Sequence, residues 1–148
     1  MKMPDSREVR RKVLLIDEDY NFRQVLRYLL FEMGLEVDEA DNGRIAVERC
    51  LSGDYDLIVA DANTPIMGIL CFLIDIRKRR PKLPMVLVSA FSAQENRVEA
   101  CLCGTIEFVE KPLDPALFKQ TIRSLIHQPH REQSSTSVRT RGQFQRRL

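Results

Sequence analysis

Three acids stand together at Asp17-Glu18-Asp19, and a fourth, Asp61, follows the apolar run Leu57-Ile58-Val59-Ala60. Neighbouring carboxylates repel one another, so such a set is tolerable only in water or around a cation. With no His or Cys beside them, the ion they suit is hard and oxygen-preferring. Mg²⁺ is such an ion, taking a few carboxylates and keeping several waters. Two more polar residues stand at strand ends: Ser89 closes the apolar run Met85-Val86-Leu87-Val88, and Lys111 comes shortly after the strand 106–109. A cation beside Asp61 would let that carboxylate take up a phosphoryl group by screening the incoming charge. Lys111 would add a fixed positive point to the same oxygens, and Ser89 a hydroxyl donor. Phosphoryl transfer asks for positioning and charge neutralisation more than for covalent machinery, and this set supplies both. Taken singly the residues have plainer readings: Asp61 as the cap of a turn, Ser89 as a strand-end hydroxyl with no switching role.

The elements that must position these groups are legible in the apolar pattern. Residues 13–16, 57–60 and 85–88 are short continuous apolar runs, as strands buried on both faces are, and 106–109 reads as a final strand. Residues 36–40 alternate weakly and read as a shorter, more exposed strand. From Asn21 the period changes: Phe22, Val25, Leu26, Leu29, Leu30 and Met33 fall on one helical face, with Gly34 placed for a left-handed cap. A short amphipathic helix follows the Asn42-Gly43 turn, with Ile45, Ala46, Val47, Cys50 and Leu51. A third covers 67–79 with Leu70, Leu73, Ile74 and Ile76 inward, and a fourth covers 93–103. Asp114 is placed to cap a last helix with Pro115 in its first turn and Leu117, Ile122, Leu125 and Ile126 inside. Between the Asp61 strand and the third helix, Pro65 biases Thr64 away from the helical region, so that stretch is loop. Five strands alternating with five helices imply right-handed crossovers and a doubly wound, mostly parallel α/β sheet with helices on both faces. In such sheets chemistry collects at the carboxyl ends of the strands. If the first, third, fourth and fifth strands are neighbours, Asp17, Glu18, Asp61, Ser89 and Lys111 share one shallow pocket.

At 148 residues the chain has room for one ordinary domain. Net charge is +2, but residues 1–12 carry +3 and residues 127–148 carry +4, which leaves an acidic body near about −5. An acidic body argues against nucleic-acid binding by the domain itself. The basic run Arg77-Lys78-Arg79-Arg80 reads as a solvated helix end, where cations meet the negative end of the dipole. Residues 1–11 are expected as a flexible basic leader and 128–148 as a disordered basic tail, since neither holds enough apolar residues for a core. The four cysteines lack zinc spacing and read as reduced thiols. With no secretory signal and no apolar run near the ~20 residues that span a bilayer, a cytoplasmic location and no membrane partner are expected.

Residues 12–127 resemble the receiver domain of two-component response regulators. The resemblance rests on Val13-Leu14-Leu15-Ile16-Asp17-Glu18-Asp19, on Asp56 to Asp61 with Pro65 four residues on, on Ser89-Ala90 and on Lys111-Pro112, in that order and each at a strand end. It implies a flavodoxin-like sheet of strand order 2-1-3-4-5 and a cis peptide before Pro112. It further implies Asp61 as phosphoacceptor and Mg²⁺ on Asp17 (mostly through water), Glu18, Asp61 and the Asn63 backbone carbonyl. Lys111 would pair with the phosphoryl oxygens, Ser89 would be the switch hydroxyl, and Phe108 the switch aromatic that turns inward with it. On periodicity alone Phe108 is a core residue. The implied donor is a sensor histidine kinase or phosphotransfer protein. The implied output is binding, to another protein or to a second copy, through the last two helices and the strand between them. No classical enzyme is implied beyond the domain's own phosphorylation and dephosphorylation. Two departures stand out: Gly68-Ile69 where the family has Asp-Gly, and the pair Asn63 and Phe91, which flank the path of an attacking water. A constitutive, non-switching module of the same fold, or a receiver cut from a hybrid kinase, would have much the same sequence. A flavin-binding protein would not, because Asp17-Glu18-Asp19 replaces the phosphate-cradling loop that it needs.

Overall fold

A computed structural model describes residues 10–62, 69–89 and 106–126. The expected helix over 93–103, residue Asn63, residue Phe91, Gly68 and the tail over 128–148 lie outside the described residues, as do residues 1–9 of the leader. In chain order the elements are β1 (Lys12–Ile16), α1 (Tyr20–Glu32), β2 (Glu36–Ala40), α2 (Gly43–Ser52), β3 (Leu57–Asp61), α3 (Ile69–Arg79), β4 (Met85–Ser89), β5 (Ile106–Glu110) and α4 (Pro115–Ile126). The strands form one sheet in the order β2-β1-β3-β4-β5, all neighbours parallel. This is the flavodoxin-like, doubly wound α/β fold.

The strand period of two residues divides the core into two layers. Leu14, Ile16, Ile58, Ala60, Met85, Leu87, Ile106 and Phe108 face one way and pack with Ala46 of α2 and with Phe72 and Ile76 of α3. Val13, Leu15, Leu57, Val59, Val86, Val88 and Val109 face the other way, onto Leu26, Leu29 and Leu30 of α1 and Phe118, Ile122 and Leu125 of α4. Both faces are therefore sealed, which is why β3 and β4 read as unbroken apolar runs. β2, at the sheet's edge, keeps only Ala40 fully buried, as its weak alternation suggested.

The helix ends follow local chemistry. Asp19 caps α1 by accepting the Phe22 N–H at 3.3 Å, and Gly34 takes φ +80° just past its end, a conformation that only glycine adopts freely. Asn42 caps α2 through the Ile45 N–H at 2.9 Å. Asp114 caps α4 through the Ala116 N–H at 3.0 Å, with Pro115 as first residue. Three inward assignments fail: Val25 is 49%, Ile74 39% and Leu117 52% exposed. The reason is angular. The buried stripe of α4 is Phe118, Ile122, Leu125 and Ile126, so Leu117 lies about 100° off it. Val25 is displaced likewise from Leu26, and Ile74 lies opposite the Phe72–Ile76 stripe. Leu51 is also exposed.

Phe118 therefore holds α4 to the sheet, and Leu117 does not. Phe118→Ala should cost about 3–5 kcal/mol, and Leu117→Ala no more than about 0.5 kcal/mol. Urea midpoints with unchanged m-values check the pair.

Candidate functional site

The carboxyl ends of β1, β3, β4 and β5 lie side by side. Ile16 pairs with Ala60, so Asp17 follows one strand where Asp61 ends the next. Asp61 pairs with Val88 and Ser89 with Glu110, which brings Lys111 to the same edge. Asp17 is fully buried and Asp61 is 5% exposed. Lys111 Nζ lies 3.3 Å from Asp61 Oδ2 and 4.6 Å from the centre of the Phe22 ring. Ser89 is buried and its Oγ makes no hydrogen bond; its carbonyl accepts the Lys111 N–H at 2.9 Å. The Lys111–Pro112 peptide that follows is cis. Glu18 is exposed at the mouth of this edge. The fold thus brings Asp17, Glu18, Asp61, Ser89 and Lys111 to one edge, as the strand-end argument requires. Phe108 points into the layer beneath α2 and α3, in register with Leu87.

Among the described residues the site holds more buried negative charge than positive. Asp17 Oδ1 accepts the Asp19 N–H at 2.9 Å, while Oδ2 is buried with no hydrogen bond. Burial, the larger cause, pushes the Asp17 carboxyl above the usual carboxylate range, and the neighbouring Asp61 charge pushes the same way. The Asp19 N–H and the Lys111 ammonium oppose this without cancelling it. Among the described residues one ammonium faces two buried carboxylates, and a cation beside the Asp17 oxygen would offset their charge. The donors are all oxygens, which fits Mg²⁺. Among the described residues no cluster of three or more acidic, His or Cys ligands forms. That is compatible with Mg²⁺, which keeps several waters and needs only one or two carboxylates.

Two residues matter here that the pattern reading did not single out for function. Arg23, 9% exposed, donates from Nη1 to the Asp17 carbonyl at 2.7 Å and from Nε to Glu39 Oε1 at 2.7 Å. It ties the backbone of the acid cluster to β2. Its signal was an arginine three residues before Leu26 and seven before Leu30, on the buried face of α1. Phe22 was assigned to the core, and it does pack there in part, but its ring also carries the Lys111 ammonium. Sequence spacing gives no sign of that, because the contact joins α1 to the far side of the sheet. Cys50 is half-buried, and burial pushes its thiol up to about 11, so it is unreactive.

The crowding has a measurable consequence. For an acid whose folded pKa is raised, the folded state holds the proton more tightly, so this group's contribution to stability falls as pH rises above the ordinary carboxylate range. Asp17→Asn should therefore stabilise the metal-free protein at pH 7.5 by about 1–3 kcal/mol and abolish most of the Tm gain that Mg²⁺ gives the parent. At pH 5 the difference between the two should narrow. Thermal melts with and without Mg²⁺ at both pH values check it.

This geometry has relatives. A family model described as the response regulator receiver domain matches residues 13–123. The transcriptional regulatory protein ZraR of Escherichia coli K12 is 29% identical over 132 residues, which are 89% of this chain but only 30% of that protein. The chemotaxis protein CheY-3 of Vibrio cholerae is 30% identical over 114 residues, 75% of this chain and 88% of that protein. The solved structure of the Vibrio cholerae chemotaxis protein CheY4 superposes with a TM-score of 0.73 at 25% identity, covering 79% of this chain and 99% of that one. Receiver domains act in two-component signal transduction, and the match over residues 13–123, on the same fold, places this chain in the response regulator receiver family.

Proposed function

We propose that the protein is a phosphorylation-dependent signalling switch whose phosphoacceptor is Asp61. The observation that carries this is the Lys111–Asp61 pair at 3.3 Å beside the orphaned Asp17 oxygen. An Asp61 oxygen attacks the phosphorus of a phosphohistidine; the P–O bond forms as the P–N bond breaks, and its electron pair returns to the imidazole. Asp17, Glu18, Asp61 and the Asn63 carbonyl would hold Mg²⁺, which supplies charge neutralisation when bound. Lys111 gives the phosphoryl oxygens a fixed cation. The buried, unbonded Ser89 hydroxyl is available to the new phosphate, which would move β4's end toward Asp61 and shift the adjoining surface.

The donor is a sensor histidine kinase or a phosphotransfer protein. It would approach over α1, which starts beside the acid cluster and exposes Tyr20, Val25, Tyr28 and Phe31. Large apolar side chains on one helix next to a reaction site suit a protein partner. The output is another protein, or a second copy of the chain. Among the described residues no helix is long and apolar enough to cross a membrane, and a cytoplasmic switch is the proposal.

One observation favours a second reading, a constitutive module of the same fold. Phe108 is already inside, at 5% exposure. An aromatic with no hydroxyl to solvate has no polar reason to return outward, so a switch that depends on its turning has less left to gain.

The deciding experiment treats the protein with Mg²⁺ and acetyl phosphate or beryllium fluoride, beside Asp61→Ala. Intact mass should report an acyl phosphate on the parent alone, and amide shifts should extend from Ser89 to Phe108. No adduct sinks the phosphoacceptor assignment; an adduct with shifts confined to the strand ends leaves the constitutive module. Phe22→Leu, which keeps the packing but removes the ring under Lys111, should slow acyl phosphate formation by about 2–10-fold, the scale of a cation–π contact of 0.5–1.4 kcal/mol. Rates from a quenched mass time course, beside an unchanged Tm, check this.

A further inference from the structure

Arg23 is 9% exposed, and burying a guanidinium is costly unless its charge and its donors are met. Both are met here. Nε donates to Glu39 Oε1 at 2.7 Å and Nη1 to the Asp17 carbonyl at 2.7 Å, while the centre of the Tyr20 ring lies 5.3 Å from the guanidinium carbon. Glu39 is held in turn by Arg27 Nε at 2.9 Å and Gln24 Nε2 at 2.9 Å. It stands opposite Leu15 in the β1–β2 register, one residue before the end of β2, so the whole group lies at the carboxyl edge beside the acids. The other buried residues of α1 are Leu26, Leu29 and Leu30. An arginine on that apolar face needs a reason beyond packing.

The reason lies at Asp17. Its backbone is pinned from both sides: its N–H donates to the Ala40 carbonyl at 3.0 Å, and its carbonyl accepts from Arg23. Its side chain is turned by the Asp19 N–H, which donates to Oδ1 at 2.9 Å and leaves Oδ2 as the buried oxygen without a hydrogen bond. The Arg23 charge is met by Glu39, and the cation that acts on the Asp17 carboxyl is Lys111. Arg23 therefore works on Asp17 through the backbone and not by neutralising it. Its donors sit in one rigid plane, so a single side chain fixes Asp17, at the end of β1, relative to Glu39 on β2. Mg²⁺ asks for such fixing, because it demands near-ideal octahedral geometry from its oxygens.

We propose that Arg23 is a positioning residue for the Mg²⁺ site: held by Glu39, it fixes the Asp17 backbone and thereby sets how tightly the acid edge takes the ion. This rests on the reading of that edge as a Mg²⁺ site. The test is Arg23→Met, which keeps the length and packing of the stem. The full chain is titrated with Mg²⁺ at pH 7.5 without a phosphoryl donor and followed at the Asp17 and Glu18 amides. The Mg²⁺ Kd should rise about 10–100-fold, the scale on which loss of a group that orients a metal ligand acts. Arg27→Met, which removes a partner of Glu39 but touches nothing at Asp17, should keep the parent's Kd. With acetyl phosphate added, the Mg²⁺ concentration that half-saturates acyl phosphate formation should rise with the Kd in Arg23→Met, while the plateau rate is kept. A purely structural role would lower Tm and leave the Kd alone. If Arg23→Met does not fold, Arg23→Lys replaces it: one ammonium cannot hold the carbonyl and Glu39 as the planar fork does, and its Kd should rise as well. An unchanged Kd in a folded Arg23 variant, an equal rise in Arg27→Met, or a fallen plateau at unchanged half-saturation would each overturn the proposal and leave Asp61 as phosphoacceptor untouched. Saturable Mg²⁺ binding without an acyl phosphate would sink the phosphoacceptor instead, and the Kd alone would then decide for or against Arg23. No Mg²⁺ binding by the parent overturns both.

Discussion

The Lys111 ammonium reaches Asp61 across an intervening strand, and the arrangement of the acid edge follows from that reach. β4 lies between β3 and β5, and neighbouring strands are about 4.8 Å apart, so the two backbones are separated by about 10 Å. A lysine is long enough to cross that gap over the end of β4 and meet the carboxylate at 3.3 Å. Ser89 ends the strand between them, and its hydroxyl is buried and without a hydrogen bond. The register makes this possible: Ser89 opposite Glu110 delivers the next residue, Lys111, level with the end of β3. Phe22 supports the ammonium from the side at 4.6 Å, so the lysine is held from β5, α1 and β3 together.

Among the described residues one ammonium stands against two buried carboxylates. A site satisfied within itself would have no use for a cation or a phosphoryl group. The imbalance at Asp17 is the kind of local cost that functional sites carry and the rest of the fold offsets. Here the offset is visible. Arg23 fixes the Asp17 carbonyl and Glu39, Arg27 joins Glu39 at 2.9 Å, and the apolar layers beneath are continuous. The side chain of Asp17 is strained electrostatically, while its backbone is among the better anchored in the molecule.

The strands and the acid edge were readable because a buried parallel strand leaves a plain mark, an unbroken apolar run, and its end is wherever that run meets a polar residue. That is how Asp17, Asp61 and Ser89 could be grouped before any coordinates, with Lys111 following a strand that Glu107 interrupts. Strand order was not readable this way: nothing in Val13 to Ile16 says that β2 and β3 are its neighbours, and the order came from the family resemblance. Helix faces were read less well. Val25 and Leu117 are apolar and one residue from the inner stripe, an offset that turns a side chain by about 100° and out to water, and Ile74 lies opposite its stripe. The contacts of Phe22 and Arg23 were hidden for a different reason. Each is a meeting of a helix with a strand end distant in sequence, and amino-acid spacing does not encode such a meeting.

Parallel topology also gives the two edges opposite electrical character. Every helix that returns the chain from one parallel strand to the next must begin near the carboxyl edge and end near the other. The positive ends of α1, α2 and α4 therefore point toward the acid edge, and their caps Asp19, Asn42 and Asp114 lie there. Helix N-termini favour anions. The edge that crowds Asp17 and Asp61 is thus also the edge whose backbone tolerates negative charge, and an added phosphate would meet dipoles as well as Lys111. At the far edge the dipoles are reversed and draw cations, which accounts for Arg77 to Arg79 at the end of α3.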